Sequence, residues 1–455
     1  MTPSPIKRLT LADLILNRSG TLVFRMILAI FGIALRLFFR RIETVNADIV
    51  PRGTGVIFVL NHPNGLIDPA LVFVSLPRRI SFLAKSTLFR MPVISFLLRT
   101  VDALPLYRKI DAGEDVSKNS KTFKVCSELL QRGGSIALFP EGVSHNSPNL
   151  LPIKTGAARI ALGAVSVGSG VSKLDLKITP VGLFYTSKGT FRSEALLHFG
   201  EPFTVEQIVL DAEGQPPRDA VRQLTDRIDA ALREVTLNAG SDFELQTARK
   251  AEAILAAAAV NENLGEKLEF LQRFVSGNGA VDTGLRAKVS EFDDRLDAFG
   301  IEPEHLSLAQ FSRASVLRQA LLQIWPLILL LPLAFIGTLL HYPAYRLCGV
   351  IARHMSKHGA DDVESTVKVL AGIVIVPTTW AVAATVSAFF LGWIAAPIAV
   401  IASAICGYAA LYTQEEVLEL SGWANAIRLF LTRREAFLRL FIERRALQEE
   451  LRAYD

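Results

Sequence analysis

Charge is scarce in this chain of 455 residues: Asp, Glu, Lys and Arg make up 20%, against roughly 25% in an average soluble protein. Cysteine is scarcer. Cys126, Cys348 and Cys406 stand at spacings that suit neither a disulfide framework nor a metal site. An odd, sparse set of thiols fits a reducing compartment for the soluble part. This composition excludes a disordered chain, a nucleic-acid-binding tail and a fibrous repeat. A secretory signal peptide needs an uncharged apolar core and a small-residue cleavage site. The first apolar stretch, Thr21 to Phe39, instead carries Arg25 and Arg36 and runs into Arg40 and Arg41.

Apolar residues, by contrast, are abundant. Half the chain is hydrophobic and the mean hydropathy is +0.34. The length allows roughly three domains. A globular domain joined to membrane-embedded helices fits these values, and a formal net charge of +5 suits a protein lying against anionic lipid.

Five segments follow. Residues 1–45 read as an amphipathic membrane anchor, with Leu22, Phe24, Ile27, Ile30 and Phe31 on an apolar helical face and the arginines snorkelling. Over residues 46–205 short apolar runs alternate with helical segments. Val56–Leu60, Ile80–Ala84, Ser135–Phe139 and Ile178–Tyr185 have the character of buried strands, and Leu88–Arg99 and Thr122–Arg132 that of helices. This predicts an α/β domain with a mostly parallel central sheet flanked by helices. Residues 206–315 form a helical extension with no motif that carries chemistry. Residues 316–412 hold transmembrane helices: Gln319 to Tyr345 has no charged residue, and Val369 to Tyr412 is long enough for two spans, or one span and a re-entrant segment. A polar link with Arg346, Arg353, Lys357, Asp361, Asp362 and Glu364 lies between those runs. Residues 413–455 form a basic amphipathic tail, placed by its arginines on a cytoplasmic surface.

In open parallel sheets reactive residues gather beyond the carboxyl ends of the strands. Two constellations stand there. In Asn61-His62-Pro63-Asn64-Gly65-Leu66-Ile67-Asp68-Pro69, the turn after a strand brings Asp68 back to His62. A carboxylate on one imidazole nitrogen leaves the other as a base. As plain structure, Asp68 is a helix N-cap and His62 a hydrogen-bonded loop residue. The second is Phe139-Pro140-Glu141-Gly142-Val143-Ser144-His145. Its Glu141, Gly142 and Ser144 suit a polyol or an anion, or else a Pro-Gly turn with a solvated glutamate. Ser144 lacks the Gly-x-Ser-x-Gly elbow of a serine hydrolase, and Cys126 lies inside a helix. No covalent nucleophile stands out, so the base acts directly on a substrate hydroxyl. Lys85, Arg108 and Lys154, at strand ends and in loops, are the cations available to a phosphate.

Together these segments resemble the PlsC-type glycerolipid acyltransferase family. Its four ordered blocks match Asn61–Asp68, Ala103–Arg108, Phe139–Ser144 and Ile178-Thr179-Pro180-Val181. Five residues separate His62 from Asp68, one more than the commonest pattern. That spacing, together with Leu151-Pro152-Ile153-Lys154-Thr155-Gly156-Ala157 and Phe191-Arg192-Ser193, resembles the glycerol-3-phosphate/dihydroxyacetone-phosphate acyltransferase branch, whose members carry C-terminal membrane helices.

The resemblance implies transfer of a fatty acyl group from acyl-CoA or acyl carrier protein to glycerol-3-phosphate in phospholipid biosynthesis, with no metal or redox cofactor. His62 is then the general base, oriented by Asp68. Arg108 holds the phosphate, Glu141 and Gly142 shape the acceptor site, and Lys154 assists, with Lys85 and Ser144 as further substrate contacts. Backbone amides at Asn64 and Gly65 are candidates for the oxyanion site. The expected partners are the acyl thioester, a glycerol phosphate or lysophospholipid acceptor and membrane lipid, without nucleic acid. The expected placement is an integral membrane protein with its catalytic domain on the cytoplasmic face. Lysophosphatidate as acceptor, a non-catalytic lipid-binding scaffold and a serine-type lipid hydrolase are the alternatives.

Overall fold

The computed structural model describes residues 7–10, 12–13, 21–76, 78–108, 111, 113–166, 174–257, 263–276, 283–310, 313–356 and 364–452. The chain forms two compact units. One comprises residues 1–238 with 355–369, the other 239–354 with 370–455.

The first unit is built on a nine-stranded sheet. Its strands are β1 (Lys7–Arg8), β2 (Phe39–Val45), β3 (Gly55–Leu60), β4 (Ser81–Lys85), β5 (Leu104–Leu106), β6 (Ser135–Leu138), β7 (Leu176–Tyr185), β8 (Ser193–Phe199) and β9 (Phe203–Thr204). They lie in the order β1-β2-β8-β7-β3-β6-β4-β5, with β9 on β7. Pairs β3–β6, β3–β7, β4–β5, β4–β6 and β2–β8 are parallel; β1–β2, β7–β8 and β7–β9 are antiparallel. The predicted mostly parallel sheet is therefore present. Every residue of β3, Gly-Val-Ile-Phe-Val-Leu, is buried, as expected of a strand covered on both faces. Each such large apolar side chain contributes roughly 1.5–3 kcal/mol on burial.

Helices α1 (Leu22–Phe38), α2 (Ile67–Ser75), α3 (Pro92–Thr100), α4 (Asn119–Gln131), α5 (Gly156–Val165) and α6 (Arg218–Val235) accompany this sheet. Three expectations change. The predicted helix Leu88–Arg99 begins only at Pro92, after a 3-10 turn over Ser86–Arg90, because proline starts a helix readily and restrains the residue before it. Residue 46 is not the start of the α/β unit, since Phe39–Val45 is already a strand of its sheet. The amino-terminal helix also does not turn a single apolar face outward. Phe24, Ile27, Leu28, Leu35 and Phe38 are buried against protein, whereas Leu22, Val23, Met26, Ile30, Ile33 and Leu37 are exposed.

In the second unit, α7 (Asp242–Ala256), α8 (Leu264–Ser276) and α9 (Thr283–Phe299) precede the long helices α10 (Arg313–Ser356), α11 (Glu364–Leu391) and α12 (Ala395–Thr432), followed by α13 (Arg434–Arg452); residues 355–356 of α10 and 364–369 of α11 belong to the first unit. Among the described residues, three stretches are long and apolar enough to cross a membrane: Ile324–His354, Thr366–Leu391 and Ala395–Thr432. The uncharged run from Val369 to Tyr412 is thus divided between two helices, with Gly392 at φ 87° in the break. A left-handed residue after the last helical turn is the usual glycine stop. Helix α12 continues well beyond residue 412, the expected start of the tail. Lys357, Asp361 and Asp362 of the polar link lie outside the described residues.

Candidate active site

Strands β3, β4, β5, β6 and β7 run parallel to one another, and each hands its following residues to the same end of the sheet. His62 follows β3, Arg108 follows β5, Glu141 follows β6, Lys85 closes β4 and Tyr185 closes β7. Five separate segments of the sequence meet there for that reason.

The turn after β3 closes on itself. His62 Nδ1 lies 2.8 Å from Asp68 Oδ2. The same oxygen accepts the Asn64 N–H at 2.7 Å, and Asp68 Oδ1 accepts the Tyr185 hydroxyl at 2.6 Å. Asp68 is fully buried, at 0% exposure, so this carboxylate exists only because three donors face it. As an acceptor it selects the imidazole tautomer with the proton on Nδ1, leaving the Nε2 lone pair available. The His62 side chain is 18% exposed. Its ring lies flat on Phe139, with centroids 4.0 Å apart and planes 14° apart. Gly65, at φ 46°, takes a left-handed conformation in this turn, one that glycine adopts without strain.

Glu141 belongs to the scaffold of this turn. One carboxylate oxygen accepts the His62 N–H at 2.8 Å. The other accepts the Leu151 N–H at 2.8 Å and pairs with His145 Nε2. The backbone of His145 in turn donates to the His62 carbonyl at 3.2 Å. The Glu141 side chain is buried and both its oxygens are engaged by protein donors around the His62 turn.

The cations converge beside it. Arg108 donates through Nε and one terminal nitrogen to Asp111, both at 3.0 Å, and through its other terminal nitrogen to the Gly142 carbonyl at 2.6 Å. Of the five N–H groups of a guanidinium, three are held by protein, and the remaining two lie on its terminal nitrogens. Lys85 Nζ reaches Asp111 at 3.2 Å. Arg108 first, then Lys85, holds the Asp111 carboxyl below its ordinary range. Gly142 adopts φ 76°, and a Cβ there would fall 2.5 Å from Lys154 Nζ, so the lysine lies directly over this turn. Lys85 and Arg108 share the Asp111 carboxylate, and Lys154 lies over the Gly142 turn whose carbonyl Arg108 holds, a gathering of positive charge that suits a phosphate. Ser144 is half-buried in the same loop.

The oxyanion expectation changes as well. The Asn64 N–H is committed to Asp68 and the Leu66 N–H to Thr366 Oγ1 at 3.0 Å. Among the described residues no acceptor is recorded for the Gly65 N–H, which remains as the amide of that turn able to meet a ligand. The fourth block, Ile178–Val181, lies within β7 beside β3, with Val59 opposite Pro180. It supports the site from within the sheet. Two further residues bear on the site. Tyr185 is brought to Asp68 by the β3–β7 pairing. Asn61 pairs with both backbone polar groups of Leu183, at 2.7 and 3.0 Å, and so fixes the base of the turn. Cys126 is buried and its thiol is pushed up to about 12 by burial, as befits a structural residue.

Comparison with known proteins agrees with this geometry. Residues 41–183 match the family model described as Acyltransferase. This segment is a PlsC-type acyltransferase domain. Residues 268–454 match the model described as Glycerol-3-phosphate acyltransferase 2 C-terminal domain. Similar to the chain is glycerol-3-phosphate O-acyltransferase 2 of Saccharomyces cerevisiae, 28% identical over 276 residues, covering 57% of this chain and 37% of the relative. Glycerol-3-phosphate O-acyltransferase 1 of the same yeast is 30% identical over 267 residues, covering 56% and 34% respectively. A chloroplastic 1-acyl-sn-glycerol-3-phosphate acyltransferase of Brassica napus is 29% identical over 149 residues, covering 32% and 38%. The chain thus spans less than two-fifths of the length of each of these relatives.

Proposed function

We propose that this protein is a membrane-bound acyltransferase of glycerolipid synthesis that moves a fatty acyl group from an acyl-CoA or acyl carrier protein thioester to a hydroxyl of glycerol-3-phosphate. One observation carries the reading: His62 Nδ1 is held at 2.8 Å by a fully buried carboxylate while the His62 side chain keeps 18% of its surface exposed. In the reaction His62 Nε2 takes the proton of the acceptor hydroxyl as the oxygen attacks the thioester carbonyl. A tetrahedral oxyanion forms, with the Gly65 N–H as its nearest amide. Collapse breaks the carbon–sulfur bond, and the leaving thiolate takes the proton back from the imidazolium. The ester and the free thiol depart with every proton accounted for. Asp68 stabilises the imidazolium and fixes its tautomer.

A thioester is already activated. Positioning together with a general base worth about 10²–10⁴-fold therefore suffices without a covalent intermediate. Arg108 offers its two uncommitted N–H groups to the acceptor phosphate, and Lys154 and Lys85 add charge. The three candidate spans and the exposed apolar side of α1 support a place at the membrane, where donor chain and product both reside, with the catalytic domain on the cytoplasmic face.

A second reading keeps the chemistry and exchanges the acceptor for lysophosphatidate; the Brassica relative, named for 1-acylglycerol phosphate, favours it. The deciding experiment offers purified protein an acyl thioester with glycerol-3-phosphate, dihydroxyacetone phosphate or lysophosphatidate. Consumption of glycerol-3-phosphate is the expected result, and consumption of lysophosphatidate alone overturns it. His62→Ala distinguishes an enzyme from a scaffold, since a scaffold loses nothing by it.

A further inference from the structure

The first turn of α11 belongs to the same compact unit as the acyltransferase domain, because residues 355–369 cluster with residues 1–238. Two of its side chains reach the loops around Asp68. Thr366, only 5% exposed, accepts the Leu66 N–H on its hydroxyl oxygen at 3.0 Å. Lys368 Nζ donates to the Gly189 carbonyl at 3.0 Å. Leu66 immediately precedes the helix that carries Asp68, and Gly189 lies four residues beyond Tyr185, the other partner of Asp68. The two loops are themselves bridged, since Asn64 Nδ2 donates to the Lys188 carbonyl at 3.3 Å. Both arms holding the Asp68 carboxylate are therefore fastened to one short helical segment. That segment continues as the candidate span Thr366–Leu391.

We infer that Thr366 and Lys368 are positioning residues for acyl transfer: they hold the His62–Asp68 turn and the Tyr185–Gly189 loop in mutual register at the entry of a membrane helix. Neither residue touches the reacting atoms. Thr366 acts through the Leu66 amide. Without its hydroxyl, the segment from Asn64 to Leu66 loses one of the bonds that fix the distance between imidazole and carboxylate. Displacements of about 1 Å in such constellations cost on the order of 10²-fold in rate. The inference rests on the proposed function for its kinetic consequence but not for its structural one.

The test combines two readouts on the full chain in lipid nanodiscs. Amide hydrogen exchange is followed across residues 61–68, and acyl transfer to glycerol-3-phosphate is measured in parallel. Thr366→Val is expected to speed exchange in that segment and lower kcat about 10- to 100-fold, with KM within about twofold. Thr366→Ser, which keeps the hydroxyl, restores both. Lys368→Met lowers kcat in the same manner, and the pair of substitutions costs less than the product of the two, as expected for one clamp. Parental exchange and parental kcat in Thr366→Val overturn the inference, as does a Ser variant no better than Val. If the parent acylates no acceptor while exchange still responds to Thr366→Val and recovers with Ser, the proposed function fails and the clamp stands.

Discussion

The hydroxyl of Tyr185 lies 2.6 Å from Asp68 Oδ1, on the side of the carboxylate opposite His62. Asp68 is thus gripped from two strands, β3 through its following turn and β7 through its last residue. Burial first, and the charge of Asp68 second, pushes the phenol well above its ordinary range.

That shift has a signed consequence. A group whose pKa is raised on folding contributes stability that is complete below its unfolded value, about 10 for tyrosine, and lost as pH climbs beyond it. Unfolding followed from neutral to strongly alkaline pH should show a steeper alkaline loss in the parent than in Tyr185→Phe. At neutral pH the Phe variant should be less stable by about 1.5–3 kcal/mol, the range for a hydrogen bond to a charged group. Its kcat should fall while KM holds.

Removing the base tests the centre of the scheme. His62→Ala is expected to fold and to lose about 10²–10⁴-fold in kcat. Asp68→Asn keeps the shape of the side chain but presents a mixed donor and acceptor to three donors. The imidazole then loses its tautomer lock, and a rate loss of about the same order is expected. Steady-state acyl transfer with matched circular dichroism checks both.

Arg108 separates binding from chemistry. With two N–H groups offered to the phosphate, Arg108→Ala should raise the KM for glycerol-3-phosphate about 10- to 100-fold and alter kcat far less. Arg108→Lys should recover little, because an ammonium lacks the planar fork that joins Asp111 and Gly142. A KM that stays at the parental value would remove Arg108 from the acceptor site.

Glu141→Gln probes the support of the His62 turn. Gln retains one acceptor oxygen in place of two, so it cannot serve both the His62 N–H and the Leu151 N–H. Loss of about 1–3 kcal/mol in stability is expected, together with a lower kcat at unchanged KM. A rise in KM for the acceptor would give Glu141 a substrate-binding role.

The chemistry of this site was more legible in the sequence than its support. His62, Asp68 and Glu141 sit in short ordered motifs that follow runs reading as buried strands, and Arg108 in a motif of its own whose strand, Leu104–Leu106, was not read from the sequence. Tyr185 and Asn61 carry no such signal. Their roles depend on pairing β3 with β7, segments more than a hundred residues apart in the chain, and nothing local announces that register. Strand β2 was hidden for a different reason. Phe-Arg-Arg-Ile-Glu-Thr-Val reads as a charged helix tail, yet Arg40 and Arg41 meet Glu194 of β8 at 3.2 and 3.0 Å. Partners distant in sequence make a charged strand acceptable in a sheet. The role of Glu141 was obscured because a solvated and a buried glutamate look alike in one dimension.

The flat contact between His62 and Phe139 bears on fidelity. A base able to deprotonate an alcohol can also deprotonate water, and hydrolysis would squander an energy-rich donor. With one face of the imidazole sealed by a phenyl ring and Nδ1 turned toward Asp68, a nucleophile has one lane of approach, along the plane at Nε2. Under the proposed function, an acceptor anchored by its own phosphate would occupy that lane for as long as it stays bound, whereas a passing water would have no comparable foothold.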